Sequence, residues 1–391
     1  MSKVIILTSA MIEDDFLKYQ DIAKKKSNPS NQNFYSRLIK ALSFFNDVSV
    51  ISHRPISSQM FDKIKFESEK SQSNNVNYYY TYISNHILYK PLHEYKAIYH
   101  EIIKCVSELH TNDFIIIVDI LRYNLLRVAK KIGRKFHIPV IGMLTDNPQN
   151  LSGVTNKYIN KIFSYALSLD GYLSLTEGLL KIFNTRNKPS YVFEGLVETI
   201  ETTKKEPLGE YLFFSGSLYE RYGVKTMIDA YCASNIKYKL IICGSGPLEE
   251  YITNKEVEDP RILYLSQLDK NKILSLQKHA IANINPRPLN EKLDQESIPS
   301  KLLEYLASGV PTLSTKHPLL YDIFKNDAVW FEDGEFESFK NGFNDFMTYN
   351  ATSLNKMASS AKVKVYSLFD LRVQGETITH FIDSLRTSEN K

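Results

Sequence analysis

Short, continuous apolar runs alternate along this chain with segments whose apolar side chains recur every three or four residues. "KVIILTS", "DVSVIS", "DFIIIVDI" and "IPVIGMLTD" are runs of the first kind, and "YYYTYIS" is rich in strand formers. Between them, "NQNFYSRLIKALSFF" sets Phe34, Leu38, Ala41, Leu42 and Phe45 at helical spacing, and "LHEYKAIYHEIIKCVSEL" and "YNLLRVAKKIGRKF" also read as helices. Strands that are apolar on both faces, joined by amphipathic helices, imply a parallel sheet covered on both sides. The plan repeats further on. "EYLFFSGS" is a strand ending in a glycine turn, "GVKTMIDAYCAS" a helix, and "YKLIICGSGPLEEYI" a strand, a Gly-Ser-Gly turn and a helix. "RILYLSQL", "NKILSLQKHA", "IANINPRP" and "AVWF" continue the alternation.

The expected fold class is therefore α/β, with two doubly wound Rossmann-like domains facing across a cleft and a ligand at the carboxyl ends of their strands. Residues 1–190 and 191–365 are the expected domains. Residues 366–391 are expected to form a C-terminal helix packing back toward the first. The hinge is placed near Arg186 to Glu198, followed by the polar run "TIETTKKEP".

Composition agrees with this division. A chain of 391 residues exceeds one ordinary core, and its 25 Tyr and 21 Phe supply ample apolar surface to bury. Cys105, Cys232 and Cys243 have no paired spacing, so neither a disulfide framework nor a zinc site is expected, and a reducing cytoplasm is the simple location. The first apolar run is followed at once by acidic residues, which suits a buried strand better than a secretory leader. Charge is divided unevenly. Residues 1–190 carry 25 Lys and Arg against 16 Asp and Glu, a net +9, and residues 191–391 carry 23 against 28, a net −5. Two domains facing different partners would produce this split, and so would drift in surface composition.

Candidate chemistry concentrates in "QESIPSKLLEYLASGVPTLST", Gln295 to Thr315, where Glu296 and Glu304 stand with seven residues between them. Ser297 is the expected cap of a helix with Pro299 in its first turn, and Gly309 and Pro311 form its stop. The amides at such a helix start suit a phosphate, and Lys301 adds positive charge where the helix dipole favours an anion. Glu304, inside the helix, can accept both hydroxyls of a ribose. Glu296, before it, can accept hydroxyls of a group beyond the phosphates. Taken alone, both could be solvated surface carboxylates. Elsewhere, His86, His93 and His100 recur every seven residues, a spacing that suits a partly buried or interfacial face better than a metal site.

"ESIPSKLLEYLASGVPTLST" resembles the E-x7-E region of the family-4 group of GT-B glycosyltransferases. "FSGSLYERYGVKTMIDAY", "LIICGSGPLEEYI", "ILYLSQLDKNKILSLQKHA" and "IANINPRP" resemble, in order, the preceding segments of that family's C-terminal domain. The resemblance covers Tyr211 to Thr315. It implies retaining transfer of a sugar from a nucleotide diphosphate sugar to a glycan, lipid-linked or protein acceptor. By that resemblance Glu304 holds the ribose, Glu296 contacts the donor sugar and acts in catalysis, and the amides of Ser297, Ile298 and Ser300 line the diphosphate. Gly216 lets the chain approach the diphosphate closely.

Some positions depart from the family pattern. Ser217 and Tyr222 stand where many relatives carry the Arg and Lys that clamp the phosphates, which leaves Arg221 and Arg287, with Lys301, as candidates for that charge. Thr145 and Asp146 stand where many relatives carry a histidine. Asp146 is either its polar replacement in catalysis or a turn residue. Pro299 replaces a frequent glycine and removes one amide donor. A nucleotide-sugar epimerase, or a catalytically silent partner of another transferase, are the competing readings on the same fold.

The sequence holds no D-x-D pair, so no metal held by such a pair is expected, and no cofactor beyond the donor substrate. No nucleic-acid partner is expected either. "IAKKKSNPSNQNFYSRLIKALSFF" and "RVAKKIGRKF" interleave Lys and Arg with apolar side chains, which suits peripheral contact with an anionic inner membrane face or an anionic acceptor. Ordinary helix exteriors would look the same.

Overall fold

The computed structural model describes residues 1–25, 29–63, 65–84, 90–111, 113–151, 153–199 and 208–388. His86, most of the run "TIETTKKEP" and part of the basic segment "IAKKKSNPS" lie outside the described residues. The chain divides into two compact units. Met1–Leu196, Gln295–Ile298 and Leu371–Lys391 make the first, and Val197–Asp294 with Pro299–Asp370 make the second.

The first unit contains β1 (Ser2–Thr8), β2 (Asn46–Ser52), β3 (Lys65–Phe66), β4 (Glu69–Ser73), β5 (Val76–Tyr80), β6 (Ile83–Ser84), β7 (Ile115–Asp119), β8 (Val140–Leu144), β9 (Gly171–Ser174) and β10 (Ser190–Val192). Eight of these form a sheet in the order β10-β9-β8-β7-β1-β2-β5-β4, while β3 and β6 pair separately. Every neighbour in the large sheet is parallel except β4 with β5. That hairpin turns at Asn74 and Asn75, both left-handed at φ 48° and 64°, with Ser73 paired to Val76. A two-residue turn with both φ positive matches the strand twist, and asparagine tolerates it. "SQSNNVNYYY" therefore carries a hairpin signal that apolar periodicity alone does not show.

Strand alternation sends successive side chains to opposite faces. Val4 and Ile6 pack with Tyr35, Leu38 and Leu42 of the helix Ser30–Ser43 and with Ile378 and Ile382 of the helix Leu371–Ser388. Ile5 and Leu7 pack on the other side with Ile98 and Ile102 of the helix Lys90–Leu109 and Leu125, Val128 and Ile132 of the helix Tyr123–Phe136. Gly375 lets the C-terminal helix approach closely, because a Cβ there would collide with the Ala41 carbonyl. That helix begins after Asp370, which separates it from the helix Ala351–Phe369.

The second unit is simpler. β11 (Tyr211–Ser215), β12 (Lys239–Cys243), β13 (Ile262–Tyr264), β14 (Ala282–Asn285), β15 (Thr312–Thr315) and β16 (Val329–Phe331) form one sheet, parallel throughout, in the order β13-β12-β11-β14-β15-β16. Strand order reverses between β11 and β14 here, and between β1 and β7 in the first unit. In doubly wound sheets such reversals open crevices at the carboxyl ends of the strands. Among the described residues no helix is long and apolar enough to cross a membrane.

Candidate active site

The carboxyl ends of β11, β12 and β14 are locked together by their own loops. Gly216 N donates to the Cys243 carbonyl at 3.0 Å, Leu218 N to the Ser245 carbonyl at 3.0 Å, and Leu248 N to the Leu218 carbonyl at 3.1 Å. Gly244 has φ +141°, and a Cβ there would collide with the Gly216 carbonyl. Gly223, at φ +76°, is pressed in the same way against the Pro286 carbonyl. The Gly244-Ser245-Gly246 turn is thus required by a close approach of backbones as well as by the start of a helix.

The helix bearing Glu304 is fastened to this edge. Tyr305, fully buried, accepts a hydrogen bond from Ser215 N at 3.0 Å. Burial drives its phenol above the ordinary range. Gln277 Nε2 donates to the Glu304 carbonyl at 2.9 Å, and Asn283 Nδ2 to Ser308 Oγ at 3.2 Å. Glu304 itself is half-buried, with Oε2 3.0 Å from Lys301 Nζ one turn earlier. The conflict expected between Lys301 and the helix dipole is therefore met within the helix by its own carboxylate.

The helix start differs from expectation. Ser300–Ser308 is the helical span, Pro299 occupies the N-cap position with φ −72° and ψ 90°, and no side chain caps it. Ser297 is not the cap. Proline fixes φ and lacks an N–H, which suits a helix entrance, and the residue that precedes it is pushed out of helical geometry. Glu296 closes a separate short helix, Glu291–Glu296. Ser297 and Ile298 link the two and are half-buried, and Ser300 is exposed.

Residues Gln295–Ile298 belong to the first unit, and the side chain that meets Glu296 there is Asn147. Its Nδ2 donates to Glu296 Oε2 at 3.0 Å, with both side chains buried. Asn147 Oδ1 accepts from Gln149 N at 3.0 Å and so caps the 3-10 turn Pro148–Asn150. Asp146 is the turn residue next to it, with Oδ1 accepting from Asn147 N at 2.7 Å and Asn150 Nδ2 at 2.8 Å. Gly178 makes room for the same segment, because a Cβ there would collide with the Gln295 carbonyl. In "GMLTDNPQN" the sequence points to Thr145 and Asp146. The contact with Glu296 is made one residue later, by an asparagine that its place before a proline marks as a turn former.

The two candidate arginines part company. Arg221 is exposed and lies over the rings of Tyr219 and Tyr222 at 4.9 and 5.0 Å. Arg287, just past β14, is half-buried, with Nη2 3.3 Å from Asp294 Oδ1 and its buried Nε without a hydrogen-bond partner. Burial lowers its pKa below the ordinary arginine value, against the pull of Asp294. His317 Nε2 lies 3.9 Å from the same carboxylate oxygen. Half-buried Arg287 thus shares the buried Asp294 with buried His317, and Asp294 and His317 carry no signal in any local motif.

At the first unit's reversal, Asp119 ends β7 fully buried. Its oxygens accept from Leu121 N at 3.0 Å and Asn31 Nδ2 at 3.3 Å, while Ser9 Oγ lies 3.0 Å from Asn31 Oδ1. Burial raises the carboxyl pKa more than Arg122, the Leu121 amide and Asn31 lower it. Gln32 pins the loop after β1, exchanging hydrogen bonds with the Met11 amide and carbonyl at 2.8 and 2.7 Å.

Residues 198–364 match the family described as glycosyl transferases group 1. The second unit thus carries a glycosyltransferase group 1 domain of GT-B type. No curated protein sequence matches the chain. Among solved structures, sucrose-phosphate synthase from Thermosynechococcus elongatus superposes with a TM-score of 0.68 at 11% identity, covering 99% of this chain and 100% of that one. HepE of Anabaena in complex with UDP superposes with a TM-score of 0.65 at 14% identity, covering 98% and 100%. The trehalose 6-phosphate synthase of Burkholderia multivorans does so with 0.64 at 11%, covering 100% and 97%. At such identities these likenesses establish the fold, which is GT-B.

Proposed function

We propose that the protein transfers a sugar from a nucleoside diphosphate sugar to an acceptor hydroxyl with retention of anomeric configuration. The observation that carries this reading is the anchoring of Glu304. The helix Ser300–Ser308 is tied to the end of β11 by Tyr305, and the same stretch falls within the matched glycosyltransferase domain. In this reading Glu304 turns from Lys301 to the ribose hydroxyls, which releases Lys301 to the diphosphate. The amides of Ser297, Ile298 and Ser300 and the loop of Gly216 and Ser217 face the diphosphate, and Arg287 neutralises charge with its remaining donors. Arg221, stacked on two tyrosines, would have to swing to take part. Glu296, oriented by Asn147, accepts hydroxyls of the donor sugar. Asp146 positions Asn147 and has no direct part in the chemistry. That the Anabaena protein is seen with UDP and with UDP-glucose supports a nucleotide sugar as donor.

No nucleophile constellation is present in the sequence, so retention is assigned to front-face displacement. The acceptor oxygen bonds to the anomeric carbon on the face from which the diphosphate departs, and the acceptor proton passes to a phosphate oxygen. The protein contributes positioning and stabilisation of charge on the leaving group. The acceptor is assigned to the first unit, where Asn31 and Ser9 offer polar groups at the strand reversal and Asp119 holds Asn31 in place. The test is incubation with a panel of nucleoside diphosphate sugars and simple acceptors, following release of nucleoside diphosphate and product configuration by NMR. A retained glycosidic product supports the proposal. An epimerised donor, or no turnover of any donor, would replace it with the epimerase or silent-partner reading.

A further inference from the structure

The basic stretch "RVAKKIGRKF" lines a cavity of 390 Å³ in the first unit, on the helical layer over its sheet. Arg127, Lys130, Lys131 and Arg134 come from one face of the helix Tyr123–Phe136, at spacings of three and four residues. Tyr95 of the helix Lys90–Leu109 and Ser164 and Tyr165 of the helix Asn156–Ala166 complete the lining. No carboxylate is among these residues.

Three of the four cations lie over aromatic rings and not against acids. Arg127 lies 4.4 Å over Tyr95 and 5.5 Å over Tyr123, Lys131 lies 4.5 Å over Tyr99, and Lys130 lies 5.6 Å over Tyr165. Ring faces fix a cation without cancelling its charge. Among the described residues none of the four makes an ion pair; Lys131 and Arg134 are exposed, but Arg127 and Lys130 are half-buried, where other cations are paired, as Arg261 is with Asp259 and Lys364 with Asp327. Lys130 also donates to Ser168 Oγ, and burial, followed by the neighbouring Arg134, pulls its pKa down against the pull of Asp170. Four like charges on one helix face repel, and a fold that keeps them around a cavity without an ion-pair partner has a reason that stability alone does not supply.

We propose that this cavity is a binding site for a small phosphate-bearing ligand, distinct from the donor site. Guanidinium and ammonium groups together match the oxygens of a phosphate or diphosphate. The volume suits one small molecule and not a chain, and the tyrosines offer faces for a sugar ring or alkyl stem. A soluble sugar phosphate and the headgroup of an anionic lipid present the same chemistry. The inference does not depend on the transferase reading, because its test reads occupancy alone.

The test is amine acylation of the full chain, followed by mass spectrometry at Lys130 and Lys131, with inorganic pyrophosphate as probe. Pyrophosphate is expected to protect both lysines saturably beyond sodium chloride of equal ionic strength. R127A/R134A is expected to raise the half-protecting concentration at least tenfold. The control K18A/K25A, which removes the same charge elsewhere on the first unit, is expected to leave it unchanged. Phosphatidate vesicles, compared with phosphatidylcholine vesicles, identify the source. Protection by the former points to a headgroup, and protection by pyrophosphate alone to a soluble ligand. Protection no greater than that of chloride, or equal protection in R127A/R134A, would overturn the proposal.

Discussion

The two units end their sheets in opposite electrostatic styles. At the β11–β14 edge the charged groups come as pairs within one unit, Lys301 with Glu304 and Arg287 with Asp294, around loops fixed by glycine contacts. At the β1–β7 edge a single carboxylate, Asp119, is buried among neutral donors with its pKa raised. The first arrangement suits a ligand that brings its own charge and exchanges partners with the pairs. The second suits a neutral hydroxyl-rich ligand, since a buried carboxylate orients amide and hydroxyl dipoles without offering a free ion. The helix Tyr123–Phe136, elsewhere in the first unit, carries five Lys and Arg and no acidic residue.

The sharpest break of this contrast comes from Glu296→Ala. Turnover is expected to fall on the order of a hundredfold or more, while affinity for the free nucleoside diphosphate, which lacks the sugar, changes little. Steady-state kinetics beside calorimetric titration separate the two, and equal losses would make Glu296 structural. Gly244→Ala is next. Its φ of +141° and the collision of a Cβ with the Gly216 carbonyl should cost roughly 2 kcal/mol or more of stability, read from the denaturation midpoint, with nucleotide binding reduced alongside.

Tyr305→Phe probes the tether more gently. It leaves the buried Ser215 amide unsatisfied, at a cost of about 1–3 kcal/mol in chemical denaturation.

Legibility from the sequence followed the same division. The second unit is legible because one contiguous stretch, Pro299 to Thr315, carries helix, stop and strand. The start of its helix is less legible, since Ser297 looks like a cap but Pro299 sets the boundary. The first unit's buried polar cluster is assembled from Ser9, Asn31 and Asp119, which no local pattern connects. Asn147 does not stand out beside Asp146 in the sequence, because its partner Glu296 is distant along the chain. The helix Glu13–Ile22 lacks a strong apolar periodicity, and Glu13, Asp14 and Asp15 in its first turn are its helix-start signal.

The smallest expected effect concerns pH. A carboxyl with a raised folded-state pKa makes the native state bind more protons than the unfolded one, so stability falls as pH rises from the ordinary aspartate value to the raised one. Asp119→Asn removes that loss. The variant should therefore gain on the wild type in thermal stability at neutral pH, and the gain should vanish below the ordinary aspartate range. A gain of the same size at every pH would contradict the burial argument.

The central claim is that the anchored helix of the second unit binds a nucleoside diphosphate through Glu304. Thermal shift of wild type and Glu304→Ala against a panel of nucleoside diphosphates and their sugars tests it most directly. One nucleotide should stabilise the wild type by about 2.7 kcal/mol at a hundredfold its dissociation constant. Loss of the charge-assisted hydrogen bonds should weaken that affinity in Glu304→Ala by about 1.5–3 kcal/mol. Stabilisation of both proteins to the same extent, or of neither by any nucleotide, would contradict it.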